Sequence, residues 1–302
     1  MRVAEGYRSG IPVSRYLDLQ VPVHYADFGG SGAALVLIHG LGGSHTNWLA
    51  VGETLAGRGR VAAIDLPGFG LTPPVGPLFT LESHRQVLEG FLERLAAGPV
   101  TLVGNSMGGL LALLHATRRP HQVARLLLVC PAVPLPPGHR HVDPRVAGRL
   151  ALRGLPLVGP AYLRWYAASH SPADQVRDTL RLVCADPARV PPQVVTAGIR
   201  LVATRAKQPW AARAVARSGR ATAARLVRRR RFDDLVAGVP CPALVIAGTA
   251  DRLVVAEGLR RMASIRPDWE LVEMEGVGHC PMMETPRWFL DVVEDWLERH
   301  GG

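Results

Sequence analysis

A serine, an aspartate and a histidine stand in this chain where nucleophilic acyl transfer needs them. Ser106 lies in Gly104-Asn105-Ser106-Met107-Gly108, directly after the apolar run 100–103 and before a helical stretch. A serine on a sharp strand-to-helix turn needs small neighbours, because the chain doubles back on itself there. Gly104 and Gly108 supply that room. The serine also needs a base. Of the 11 histidines, only His279 follows the last predicted strand, 270–274. It sits in the kind of loop, at the carboxyl end of a parallel strand, where ligands meet such sheets. The histidine in turn needs a carboxylate to fix its tautomer and stabilise its charged form. Asp251 ends Ala247-Gly248-Thr249-Ala250-Asp251 and fills that role. After the run 126–129 come Cys130, Pro131 and Ala132, which offer no carboxylate. Asp65, the other acid at a strand end, precedes Pro67-Gly68-Phe69-Gly70 and lies ahead of the serine, so it reads as structural.

The negative charge that develops on a carbonyl oxygen under attack needs two donors. The backbone N–H of Met107, first in the helix after the serine, is one. The loop after the run 35–38 reads His39-Gly40-Leu41-Gly42-Gly43-Ser44, and its glycines let backbone N–H groups approach a substrate. The N–H of Leu41 is assigned as the second donor. One such donor lowers the barrier by about 3 kcal/mol. His39 reads as a brace for that loop, and His45 and Trp48 as core or rim residues.

These residues must be held by alternating strands and helices. Apolar β-rich runs occur at 35–38, 61–64, 100–103 and 126–129, with helical stretches at 46–56, 81–95 and 107–117 between them. In 81–95 the apolar residues Leu81, Val87, Leu88, Phe91, Leu92 and Leu95 follow the 3.6 period. Such alternation predicts a mostly parallel central sheet flanked by helices on both faces. Residues 16–19 and 21–26 read as an antiparallel lead-in. From 133 to 235 no strand pattern appears. Prolines and arginines dominate, and Ser171-Pro172-Ala173-Asp174 reads as an N-cap, proline at N1 and an acid. This block reads as a helical cap inserted between two parts of one core, 1–132 and 236–302. The second part carries strands at 243–247 and 270–274 and helices at 255–264 and 286–300.

A chain of 302 residues with 48% apolar content suits one large α/β domain with an insertion. Cys130, Cys184, Cys241 and Cys280 form no CxxC pair, so no zinc, redox or disulfide framework is indicated, and no cofactor or metal is expected. The first ten residues hold no apolar leader core, and no run of about 18 apolar residues suits a membrane span. The expectation is a cytoplasmic protein.

Net charge is +10, almost all of it arginine, with Lys207 the single lysine. Heavy Ala, Arg, Gly and Pro use reads as high-GC codon bias. That bias acts on the whole gene, yet residues 133–235 hold 19 basic and 6 acidic residues, a net of +13, and the rest of the chain is slightly acidic. Arg225 and Arg228-Arg229-Arg230-Arg231 are the densest part. Without a reader motif or interleaved aromatics, no nucleic-acid partner is expected. The run reads either as a solvated face or as a contact for anionic lipid near the pocket mouth.

Five blocks taken together are similar to the α/β-hydrolase superfamily. They are His39-Gly40-Leu41-Gly42-Gly43, Asp65-Leu66-Pro67-Gly68-Phe69-Gly70, Gly104-Asn105-Ser106-Met107-Gly108-Gly109, Ala247-Gly248-Thr249-Ala250-Asp251 and Gly278-His279-Cys280-Pro281. The resemblance covers roughly 20–132 and 240–300 but not the cap. It implies an α/β-hydrolase fold and a triad in the chain order Ser106, Asp251, His279. Epoxide hydrolases and haloalkane dehalogenases of this superfamily carry an aspartate nucleophile, so Ser106 disfavours those chemistries. A serine esterase or lipase acting on a small ester is expected. The alternative is a carbon–carbon bond hydrolase of β-diketone-like ring-cleavage products. Those resemble the chain at 104–109, but they usually carry an aromatic after the histidine and a Gly-Pro-Gly oxyanion loop. A non-catalytic ligand binder is the third reading, and the intact triad speaks against it.

Overall fold

The computed structural model describes residues 12–136, Gly148, Leu152 and 154–300. The leader reading of the first ten residues lies outside these, as do 137–147, 149–151 and 153 of the predicted insertion. Eight strands form one sheet: β1 (Val13–Asp18), β2 (Pro22–Gly29), β3 (Ala34–Ile38), β4 (Arg60–Ile64), β5 (Val100–Asn105), β6 (Val123–Val129), β7 (Ala243–Gly248) and β8 (Glu270–Met274). Their spatial order is β1-β2-β4-β3-β5-β6-β7-β8. The lead-in strands β1 and β2 pair antiparallel, as does β2 with β4. Every pairing beyond β4 is parallel. The carboxyl ends of β3 to β8 therefore share one edge.

Strands β3, β5 and β7 are buried at every residue, which explains their continuous apolar runs. Val36 and Ile38 face one core layer, with Phe91, Leu110 and Phe232. Leu35 and Leu37 face the other, with Trp48, Phe289 and Trp296. Each large apolar side chain buried this way contributes about 1.5–3 kcal/mol.

Helix α1 (Gly52–Leu55) is a single turn, preceded by a 3-10 turn at His45–Trp48. A continuous helix over 46–56 does not form. Val51 leaves the helical conformation at φ −127°, and the Phe28 ring packs directly on Gly52. Helices α2 (Leu81–Leu95) and α3 (Met107–Arg118) match their predicted spans to within a residue. Thr80 caps α2 by accepting from Ser83 N–H.

Between β6 and β7 the described residues hold helices and no strand. They are α4 (Val158–Ser169), α5 (Pro172–Val183), α6 (Pro192–Arg205), α7 (Ala211–Val227) and α8 (Arg229–Ala237). Ser171 caps α5 by accepting from Asp174 N–H, with Pro172 at its first turn. The chain then adds α9 (Ala256–Ile265), α10 (Pro281–Glu284) and α11 (Pro286–Arg299). Among the described residues no helix is long and apolar enough to cross a membrane.

Candidate active site

Ser106 stands between β5 and α3 with φ 54° and ψ −117°. A non-glycine residue there costs about 1–3 kcal/mol and persists only where its surroundings impose it. They do. Ser106 N–H donates to Val129 O (3.0 Å), and Ser106 O accepts from Ala132 N–H (3.0 Å) and Leu110 N–H (3.1 Å). A Cβ on Gly104 would lie 2.5 Å from Gly108 O, so the turn tolerates no side chain there. Ser106 is the partly exposed member of a buried stretch.

His279 and Asp251 meet across the ends of β7 and β8, with Nδ1 and Oδ2 2.6 Å apart. Asp251 Oδ1 accepts from the N–H groups of Leu253 (2.7 Å) and Val254 (3.0 Å), which fixes the carboxylate. The two loops are tied by Thr249 N–H to Met274 O (3.1 Å) and Ala250 N–H to Val277 O (2.9 Å). Asn105, next to the serine, donates through Nδ2 to His279 O (3.0 Å) and Val129 O (3.1 Å). The serine turn is thereby joined to the histidine loop.

The loop 39–44 closes over the same corner. A Cβ on Gly40 would come within 3.0 Å of Ser106 Cβ, so only glycine lets this backbone approach the serine. His39 is buried. Its Nδ1 donates to Gly40 O (2.7 Å) and its Nε2 accepts from Leu66 N–H (3.1 Å). Burial pushes its pKa down to about 4. It is neutral at pH 7, in the bracing role expected of it. Gly43 N–H to Gly40 O (3.1 Å) closes a turn around Leu41. Met107 opens α3, so its N–H has no acceptor within the helix.

Asp65 sits apart from this cluster. It accepts from His24 Nδ1 (2.7 Å), His45 Nδ1 (2.9 Å), His45 N–H (2.7 Å) and Leu71 N–H (2.9 Å). Burial alone would raise its pKa, but hydrogen bonds from His24 and His45 outweigh it and hold the carboxyl well below the usual range. Donor atoms of His24, His45 and Asp65 lie within 4.8 Å of one another, a spacing a metal could use. Here these bonds already occupy them. Trp48 is fully buried, a core residue.

Two residues with no place in the sequence-predicted site, Cys130 and Glu284, complete the corner. Cys130 is buried at the end of β6 with φ 42°. Its Sγ, the Asp251 carboxylate and a His279 nitrogen lie within 4.8 Å of one another. Burial, reinforced by Asp251, pushes the thiol pKa up, so it stays a neutral filler where a second acid could otherwise reach the histidine. Glu284 is buried and accepts three backbone N–H groups: Gly278 (2.9 Å) and Ala185 (3.0 Å) on Oε2, Asp186 (2.9 Å) on Oε1. His279 N–H donates to Val183 O (2.7 Å) beside it. The histidine loop is thus stitched to the segment between α5 and α6. The only sequence signal was an acid directly after the apolar run Cys280-Pro281-Met282-Met283.

The inserted helices lean on the loop 39–44 as well. Gly219 of α7 packs against the Leu41 side chain, and Arg205 of α6 donates from Nη1 to Gly42 O (3.0 Å).

Among curated proteins, a 104-residue stretch is 44% identical to 2-hydroxy-6-oxo-2,4-heptadienoate hydrolase of Pseudomonas putida, covering 33% of this chain and 38% of that enzyme. A 116-residue stretch is 38% identical to Lipase LipV of Mycobacterium tuberculosis, covering 38% and 44% of the two chains. The chain thus matches less than half the length of each of these two relatives. Among solved structures, a putative lipase from Acinetobacter baumannii shares the fold with a TM-score of 0.75 at 24% identity, over 97% of this chain and 92% of that one. The sequence pattern of the alpha/beta hydrolase family matches residues 35–292, and with the sheet order and the serine turn in place this chain belongs to that family.

Proposed function

We propose that the chain is a serine hydrolase of carboxylic esters, with Ser106 as nucleophile, His279 as general base and Asp251 as the acid that orients it. The observation that carries this reading is the convergence of a strained, partly exposed serine with a buried Asp251–His279 pair on one edge of the sheet. His279 takes the Ser106 hydroxyl proton as Oγ attacks the ester carbonyl. The oxyanion is held by the N–H groups of Leu41 and Met107. Collapse expels the alcohol, which receives the proton from His279, and leaves an acyl-enzyme. His279 then deprotonates water, and its attack releases the acid and restores the serine. The helices between β6 and β7 act as a cap over residues 133–235 and shape the pocket.

Carbon–carbon bond hydrolysis of a ring-cleavage product is the second reading, and Arg205 favours it. Its Nε is buried and makes no hydrogen bond among the described residues, and it borders the loop that touches Ser106. A guanidinium held through Nη1 on Gly42 O, with its Nε still unpartnered, suits a substrate bearing a carboxylate, and the matched Pseudomonas putida hydrolase is named for a dienoate. Cys280 after the histidine and the Gly42-Gly43 pair speak for the ester reading.

The deciding experiment is turnover of p-nitrophenyl esters of graded length beside one ring-cleavage diketone, together with fluorophosphonate labelling. Ester turnover and labelling that both vanish in Ser106→Ala are expected. Diketone turnover far above every ester would give the second reading. No turnover and no labelling would leave a ligand binder.

A further inference from the structure

The densest basic run lies away from the serine. Arg225 of α7, Arg228 between α7 and α8, and Arg231 of α8 line a hollow of about 400 Å³ together with Thr80 and Leu81. A neighbouring hollow of about 440 Å³ shares Leu81, Arg225 and Arg231 and adds Arg118, the last residue of α3. Helix α3 starts beside Ser106, and its 12 residues span about 18 Å. An occupant of these hollows therefore does not touch the reacting atoms, and the run does not border the serine as a pocket-mouth position would require.

Four guanidiniums, from α3, α7, the α7–α8 link and α8, line these hollows, and Arg118 lies close enough to Glu82 to act on its charge. Among the described residues none of Arg118, Arg225, Arg228 and Arg231 forms an ion pair. The Arg225 Nε is buried with no hydrogen-bond partner, and its Nη2 reaches only Arg231 O, at 3.5 Å. Burial first, then repulsion by Arg231 and Arg118, lowers the Arg225 pKa. The bordering carboxylates are Glu82, already engaged by Arg85 (2.7 Å), and Asp234. The same wall carries the N-terminus of α2, a 15-residue helix in which Thr80 takes up Ser83 N–H and His84 N–H, leaving the N–H groups of Leu81 and Glu82 without an acceptor in the helix. Clustered arginine forks beside a helix N-terminus match the geometry and charge of a phosphate group. The hollow also exceeds a bare ion in size.

We propose that this cleft, formed by Arg118, Arg225, Arg228 and Arg231 at the start of α2, binds a phosphate group carried on a larger molecule. The phosphate comes either from a free phosphate compound or from an anionic lipid headgroup. The proposal is independent of which bond the enzyme cleaves.

The test uses the full chain and two probes, pyrophosphate by calorimetry and vesicles of phosphatidylcholine with or without phosphatidic acid by sedimentation, both at low salt. Pyrophosphate is expected to bind and to raise the melting temperature. The triple variant Arg225→Gln/Arg228→Gln/Arg231→Gln should bind about tenfold more weakly or worse, as loss of charge-assisted forks demands. Arg164→Gln/Arg200→Gln/Arg213→Gln, an equal charge change elsewhere on exposed positions, should bind as the parent does. Should the triple variant fail to fold, Arg225→Lys keeps the charge, loses the fork and should still weaken binding. Pelleting with phosphatidic acid vesicles alone, lost in the first triple and kept in the second, assigns the headgroup as the source and supports the cleft. Binding of neither probe, or equal losses in both triples, overturns the proposal. Turnover of a small soluble ester should not change in either triple.

Discussion

Glu284 offers the sharpest test of how the histidine is held. Replacing it with glutamine keeps the shape but leaves one acceptor oxygen where there were two. The best placement keeps that oxygen on Gly278 and Ala185 N–H and turns the amide NH₂ toward Asp186 N–H, which then has no acceptor. A hydrogen bond to a charged group contributes about 1.5–3 kcal/mol, and a neutral one about half of that. The summed loss is about 3–6 kcal/mol. For a chain of this size, with a slope of about 2–4 °C per kcal/mol, the melting temperature should fall by about 6–24 °C. The same carboxylate holds Gly278 against 183–185, where a Cβ on Gly278 would lie 2.6 Å from Ala185 N. Loosening that contact shifts His279, and a misplacement of about 1 Å costs up to about 10²-fold in rate. Glu284→Gln should therefore lose about tenfold in kcat or more, with KM for a small ester nearly unchanged. Fluorophosphonate labelling of Ser106 should slow in parallel, because it needs the activated serine. Both assays belong well below the variant's melting temperature, where the protein is folded. A lower melting temperature with unchanged kcat and labelling would make Glu284 a purely structural residue and refute the reasoning.

The two candidate acids separate cleanly. Asp251→Asn should cost orders of magnitude in kcat with little change in melting temperature; loss of the orienting carboxylate in a serine-protease triad costs about 10⁴. Asp65→Asn strips donors of their acceptor and should lower the melting temperature first; a dead but fully stable Asp65→Asn beside an active Asp251→Asn would reverse the assignment. Acid should unfold the protein through its histidines. Burial holds His39 and His115 at about 4 and His84 at about 3, below the unfolded value of 6.5, so stability is complete above about pH 6.5 and falls as pH drops towards the folded values. At pH 5 each contributes a loss of about 2 kcal/mol, together about 6 kcal/mol, and a urea midpoint that is flat between about pH 7 and pH 5 would contradict this.

Topology explains which of these features could be read in advance. Ser106, Asp251 and His279 were legible because each follows a strand of a parallel sheet, and parallel strands bring their carboxyl ends to one edge whatever the helices do. The strands themselves were legible because burial on both faces demands unbroken apolar runs, as in β3 and β5. Helix α2 was legible because its apolar stripe is written at the 3.6 period within 15 residues. What failed depended on partners distant in the chain. The break between the turn at 45–48 and α1 comes from Phe28 lying on Gly52, a contact across 24 positions that no local periodicity records. Glu284 acquires its role from backbone donors 98 and 99 residues upstream, so its own neighbourhood shows only an acid among apolar residues. The arginine run is the same case seen from the surface. Composition could count its charge, but only the packing of α7 and α8 beside the end of α3 brings Arg118 to it and turns it away from Ser106. An excess of charge along a chain thus predicts that an anion will be attracted, whereas where it binds is decided by helix packing.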